Sequence, residues 1–224
     1  MIGHRGASAV APENTLAGLE AAVDAGADAV EFDVDRGLVI RHPGQRPTGL
    51  TLERALDFLA GTAIGIHLDL KLVGAEAEIS ALVEGRGLGE RTVVSTTSAR
   101  SLRSFARDAP EIARAISYPR DRTGAGGLPW PPKVVRGSVA AVRPYVLARI
   151  PQLLAAGHAG VLSMHHNLVT QATVRAVHSR GAALIAWTVN DPARILALAG
   201  LKVDAIVSDD PGMALRVLAK LNGS

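Results

Sequence analysis

The chain reads as a closed (β/α)8 barrel of the TIM type, and three observations carry that reading. Short β-branched runs alternate with alanine-rich segments of helical periodicity, eight such pairs follow one another, and 224 residues suit a single barrel domain. A doubly wound open sheet is the alternative architecture for the same alternation.

The strands expected are residues 1–3, 29–34, 64–70, 92–95, 113–117, 160–164, 183–189 and 205–207, the first of them very short. Asn14 or Thr15 opens the first helix and Thr51 the second, because their side-chain oxygens can accept from an orphan N–H of the first turn. Asp191-Pro192 and Asp210-Pro211 repeat the signal as a cap followed by a proline in the first helical turn. Residues 119–133, PRDRTGAGGLPWPPK, are too rich in Gly and Pro for a regular element. They follow the fifth strand, so they belong to the C-terminal rim, as a long connection or as a lid carrying Trp130 over a ligand. No internal repeat or domain linker interrupts 1–224, which is expected to be one barrel domain.

Composition narrows the function classes. Apolar residues make up 48% of the chain and charged residues 20%, enough for a buried core and unlike a disordered sequence. The net charge is only +3 and the arginines are scattered among acids, which argues against a nucleic-acid partner. There is no cysteine, so disulfides and thiolate metal ligands are excluded. No basic segment leads into an apolar stretch at the start, and no apolar run reaches the roughly 18 residues of a membrane span. A soluble, cytoplasmic protein without stable membrane insertion is the expectation.

Chemistry concentrates on two strands. In AVEFDV, Glu31 and Asp33 share one face while Phe32 points the other way, with Cα atoms about 6.6 Å apart. Two acids inside an apolar strand repel each other and lose hydration unless a positive group joins them, and a hard cation with oxygen ligands does so most simply. In IGIHLDLK, His67, Asp69 and Lys71 share a face. Asp69 can complete a three-carboxylate set, and Lys71 can meet an anionic ligand or merely neutralise Asp69. His67, one layer deeper, reads as a hydrogen-bonded interior histidine. His4 and His42 stand near strand ends, where a pair of imidazoles can serve as general acid and general base. Arg5 offers a planar fork suited to phosphate oxygens.

Taken together, HRG at the start, PENT, EFDV, the histidine at 42, LDLK, WTVN at 187–190 and VDAIVSDDP at 203–211 resemble the glycerophosphodiester phosphodiesterase family over nearly the whole chain. The succession from HRG through PENT to E-x-D is specific, whereas the later motifs are weak alone. The resemblance implies hydrolysis of a glycerophosphodiester to glycerol 3-phosphate and an alcohol with one divalent cation, Mg2+ or Ca2+. It implies His4 and His42 as acid and base, and Glu31, Asp33 and Asp69 as metal ligands. It also implies Arg5 and Lys71 as phosphate ligands, Glu13 close to the site, and Trp187 on the pocket wall.

Three departures from the family pattern bear on substrate class. Asp69 stands where the family carries glutamate, Pro43 follows His42 where an aspartate is usual, and the segments either side of His42 are shorter. The last implies a more open mouth. Two other functions therefore stay in view: a lysophospholipase D-type activity on larger lipids, and a barrel that binds phosphate or sugar phosphate without turnover.

Overall fold

The computed structural model describes residues 1–119 and 132–222. Eight parallel strands form the barrel: β1 (Ile2–Gly3), β2 (Ala29–Asp35), β4 (Gly65–Leu70), β5 (Thr92–Thr96), β6 (Ala113–Tyr118), β7 (Val161–His165), β8 (Ala183–Trp187) and β9 (Ala205–Ser208). The sheet closes because β1 pairs with both β9 and β2, which rules out the open doubly wound alternative. Each expected strand is found, with ends that move by one or two residues. The stretch 183–189 stops as a strand at Trp187, beyond which Val189 N bonds Val207 O at 2.9 Å outside the ladder.

One strand was not expected. β3 (Val39–Ile40) folds back antiparallel onto the end of β2, through a turn in which Gly37 and Leu38 take positive φ. Two residues are too few to show a periodicity, so only the turn chemistry of Arg36-Gly37 could have signalled it.

Eight helices surround the described part of the sheet: α1 (Leu16–Asp24), α2 (Leu52–Ala60), α3 (Glu76–Glu84), α4 (Ala99–Asp108), α5 (Pro132–Gly157), α6 (Gln171–His178), α7 (Pro192–Gly200) and α8 (Pro211–Asn222). Thr15, not Asn14, caps α1, its Oγ1 accepting from Gly18 N at 3.1 Å. Thr51 caps α2 and Asp191 caps α7 ahead of Pro192, while Asp210 Oδ1 accepts from Met213 N at 2.7 Å at the start of α8. Of the Gly- and Pro-rich stretch, residues 120–131, including Trp130, lie outside the described residues. Among the described residues no helix is long and apolar enough to cross a membrane.

The alternation of the strands divides the core. Val30, Phe32, Val34, Leu68 and Leu70 face outward into the strand–helix layer with Leu19, Leu52, Leu56 and Phe105. Each such fully buried side chain contributes about 1.5–3 kcal/mol. Inside the barrel, Ile2, Ile185 and Val207 form a separate apolar cluster, with Ala29, Val161, Ala205 and Trp187 packed on it. Polar residues of the same strands lie further along them, toward the C-terminal mouth.

The HRG segment turns sharply above this floor. Arg5 and Gly6 both take positive φ, 50° and 92°, and the turn lies directly on α1. A Cβ on Gly6 would sit 2.4 Å from both the carbonyl carbon and oxygen of Gly18. Gly37, by contrast, has open space around its Cβ position. Gly6→Ala is therefore expected to destabilise the protein by more than about 3 kcal/mol, because backbone must move, and Gly37→Ala by about 1–2 kcal/mol. Urea unfolding midpoints check this; equal losses at the two positions would mean that the Gly6–Gly18 approach is not tight.

Candidate active site

The barrel mouth holds a cavity of about 850 Å³, lined by His4 and Arg5 after β1, Glu31 and Asp33 on β2, His42 after β3, His67, Asp69 and Lys71 on or after β4, and Trp187 closing β8. Neighbouring strands set the key register: Glu31 lies beside His67 and Asp33 beside Asp69. Parallel partners project the same way, so three carboxylates enter one space. Ligand oxygens of Glu31, Asp33 and Asp69 all lie within 4.8 Å of one another. Oxygens held 2.3–2.6 Å from a common centre are at most about 5 Å apart, so this all-oxygen set fits a hard divalent cation.

Two protein cations already lean on the cluster. Lys71 Nζ pairs with Asp33 Oδ1 at 2.9 Å and with Asp69 Oδ2. Arg5 Nε stands 3.0 Å from Asp33 Oδ2 at ion-pair distance without hydrogen-bond alignment, and Arg5 Nη1 donates to Glu13 Oε2 at 2.7 Å. Glu13 also accepts from Gln45 Nε2, which ties PENT to the short loop after His42. Lys71 thus neutralises Asp69, the blander of the two roles its spacing allowed, and still carries a third N–H. Burial lowers an ammonium's pKa, but Asp69 and Asp33 outweigh it and hold Lys71 protonated.

The acids differ in their surroundings. Asp33 is 1% exposed, yet Lys71, Arg5 and hydrogen bonds offset the effect of burial and keep its pKa low. Asn14 of PENT secures it twice: its Nδ2 donates to Asp33 Oδ2 at 3.0 Å, and its Oδ1 accepts from Asp33 N at 3.1 Å. Asn14 holds a positive φ of 57°, a conformation asparagine tolerates better than most residues. Asp69 Oδ1 accepts from Ser95 Oγ at 2.7 Å. Glu31, 4% exposed, accepts among the described residues only the Arg5 N–H at 2.8 Å. Burial, reinforced by the charges of Asp33 and Asp69, pushes its pKa up to about 7.

The three histidines also differ. His4 Nδ1 meets Asp209 Oδ1 at 2.5 Å, a contact across 205 residues of sequence. Burial alone would lower the pKa of His4, but the Asp209 hydrogen bond and the field of Glu31 raise it above 6.5. His42, half-buried after β3, has Nδ1 3.1 Å from the Pro43 carbonyl oxygen. A carbonyl only accepts, so in this contact Nδ1 is the donor, and the neutral ring has its lone pair on Nε2. His67 is interior, as expected, but not hydrogen-bonded: both ring nitrogens lack a partner among the described residues. Burial lowers its pKa to about 4, so it is neutral.

Two contributors escaped the reading of the sequence. Asp209 lies in the VDAIVSDDP motif, but nothing in that stretch announces a partner just past β1. His165, at the end of β7, lines the cavity with its ring edge-on to Trp187 at 5.3 Å between centroids. Its doublet with His166 was the only available signal.

The family model for the glycerophosphoryl diester phosphodiesterase family matches residues 4–42 and 67–213. The chain belongs to this family, and so to the phosphoric diester hydrolases. The unmatched span between the two stretches contains the shortened segment after His42. The glycerophosphodiester phosphodiesterase of Caldanaerobacter subterraneus subsp. tengcongensis is 24% identical over 264 residues, covering 98% of each chain. Among solved structures, an Oleispira antarctica phosphodiesterase in complex with the product sn-glycerol-3-phosphate superposes with a TM-score of 0.74 at 23% identity, covering 97% of this chain and 96% of that one. A glycerophosphodiester phosphodiesterase from Parabacteroides distasonis gives 0.75 at 19% identity, covering 99% and 97%. At these identities the superpositions speak for the barrel fold.

Glu31 supplies a stability prediction. Its folded pKa is raised, so the unfolded chain ionises it first and stability falls as pH rises from about 4.5 toward 7. In metal-free protein, Glu31→Gln is expected to be more stable than wild type at pH 8 by roughly 1–3 kcal/mol, with the gap closing at pH 5. Thermal unfolding at the two pH values measures it; a variant less stable at pH 8 would mean that the ionised carboxylate is satisfied without metal.

Proposed function

We propose that the protein hydrolyses a glycerophosphodiester to glycerol 3-phosphate and an alcohol, with His4 and His42 moving the protons and a Mg2+ or Ca2+ ion held by Glu31, Asp33 and Asp69. The observation that carries this reading is the convergence of three carboxylate oxygens, within 4.8 Å of one another, in the cavity that both imidazoles line. When bound, the cation supplies charge stabilisation at the phosphoryl oxygens.

The chain's own groups do the rest. The third N–H of Lys71 and the Nη2 of Arg5 hold the non-bridging oxygens of the diester, fixing it for in-line displacement. The nucleophile is a hydroxyl, from water or from the glycerol moiety. It gives its proton to His42 Nε2, the nitrogen left with a lone pair by the Pro43 carbonyl, as its oxygen bonds to phosphorus. The ester bond to the alcohol breaks, and His4, whose raised pKa favours the imidazolium, gives the Nε2 proton to the departing alkoxide. If the glycerol hydroxyl attacks, the cyclic phosphate is then opened by water with the proton roles reversed.

The activity test uses glycerophosphocholine and a panel of related diesters, with product detected as glycerol 3-phosphate. Full removal of divalent metal with a chelator is expected to abolish turnover, and adding Mg2+ or Ca2+ to restore it. His4→Ala and His42→Ala are each expected to lower kcat by roughly 10²–10⁴-fold while leaving the thermal midpoint near wild type. Full activity in both variants, or undiminished turnover after chelation, would sink the reading.

A further inference from the structure

The two imidazoles have unlike supports. His42 leans on a backbone carbonyl, whereas His4 is bonded to a carboxylate that is itself held from several sides. Asp209 Oδ1 takes both His4 Nδ1, at 2.5 Å, and the Ser8 hydroxyl, at 2.8 Å. Its other oxygen, Oδ2, accepts from Asn190 Nδ2. Asn190 Oδ1 in turn accepts from Asp209 N at 2.9 Å and from Ser208 Oγ at 3.1 Å. The backbone adds His4 N to Ser208 O at 2.9 Å and Ala9 N to Asp209 O at 3.0 Å. Every polar atom of the Asp209 carboxylate and of the Asn190 amide is thereby spent on one arrangement, built from the segments that follow three adjacent strands, β8, β9 and β1.

Such a network has a specific consequence for the ring. A carboxylate that accepts from Ser8 and Asn190 stays ionised and can only accept from His4, so the proton of Nδ1 is fixed there. Nε2 is then the ring nitrogen presented to the cavity. The carboxylate also favours the imidazolium. Opposing or supporting it are Glu31 on β2, Arg5 beside it in the chain, and His67 on β4; of these, Glu31 supports the charged ring and Arg5 opposes it.

We infer that Asp209, locked by Asn190, is the positioning residue of His4: it fixes the tautomer that turns Nε2 to the substrate and holds the proton that His4 delivers. The inference deepens the catalytic reading above and rests on it for the delivery step alone. The same support explains why an asparagine closes WTVN and an aspartate follows the serine of VSDDP, two residues that make no contact with each other in sequence.

The experiment compares Asp209→Asn, Asp209→Glu and Asn190→Ala with wild type, each in the intact, metal-loaded chain. Asp209→Asn is expected to lower kcat by roughly 10²–10⁴-fold with KM within about threefold of wild type. Because activity needs protonated His4, kcat/KM falls as pH rises through the His4 pKa; losing the carboxylate lowers that pKa, so the alkaline limb moves to lower pH. Asp209→Glu is expected to recover part of the rate and the limb, and Asn190→Ala to shift the limb in the same direction as Asp209→Asn by less. In a His4→Ala background, Asp209→Asn is expected to cost nothing further. A second readout needs no turnover: nitrogen NMR of the His4 ring is expected to find the proton on Nδ1 in wild type and a mixed tautomer with a lower pKa in Asp209→Asn. An unchanged limb and unchanged tautomer in Asp209→Asn overturn the inference, as does an equal loss with and without His4. Absence of hydrolysis by wild type would remove the catalytic reading, while the ring measurement would still decide the role of Asp209.

Discussion

Three carboxylates converging at the mouth of one barrel, two of them buried and the third half-buried, cannot all keep their charge unless cations answer them, and the arrangement of the site follows from that constraint. Lys71 and Arg5 answer Asp33, and Lys71 answers Asp69. Among the described residues Glu31 accepts only a backbone N–H from Arg5, and burial with the charges of Asp33 and Asp69 outweighs the field of His4, which leaves its ionisation costly. The acids of the cluster are therefore under-compensated at Glu31, the condition in which a divalent ion gains most from binding. Paired acids on a barrel strand belong to function more than to stability, since an apolar interior would fold better.

The loops that carry the remaining groups are fastened to this cluster rather than hung beside it. Gly6 N bonds Glu31 O at 3.0 Å and Asn14 N bonds Arg5 O at 3.0 Å, so the HRG turn and the PENT segment share backbone hydrogen bonds as well as Asp33. Thr48 Oγ1 donates toward Asn14 O at 2.9 Å and Ile40 O at 3.1 Å, which brings the shortened His42 loop into the same frame. Backbone strain at Arg5 and Asn14, both at positive φ, is sustained because each is fixed by several partners. Positions of this kind are expected where a side chain must be aimed.

Much of the site could be read from local pattern, and the exceptions have physical causes. Period-two alternation put Glu31 with Asp33, and His67 with Asp69 and Lys71, because a strand imposes that facing whatever surrounds it. It could not say which group Lys71 would meet, since that depends on the register between β2 and β4. Nor could it supply partners for His67, whose nitrogens are enclosed without one. β3 was too short to leave a pattern, and the cap of α1 was undecided between two residues until Asn14 turned out to be spent on Asp33. The tie between His4 and Asp209 spans 205 residues and leaves no mark in either neighbourhood.

What the sequence determined by itself was the alternation of strand and helix, the caps, the inward set of acids, and the motifs that resemble one family. Each of these is a property of neighbouring residues, fixed by backbone geometry over a few ångströms of chain. Tertiary structure alone decided closure of the sheet, the convergence of oxygens from two strands, and the unequal settings of His4, His42 and His67. Those depend on which strands lie side by side and how far each is buried, and burial and distance, not residue type, set the protonation of a carboxylate or an imidazole.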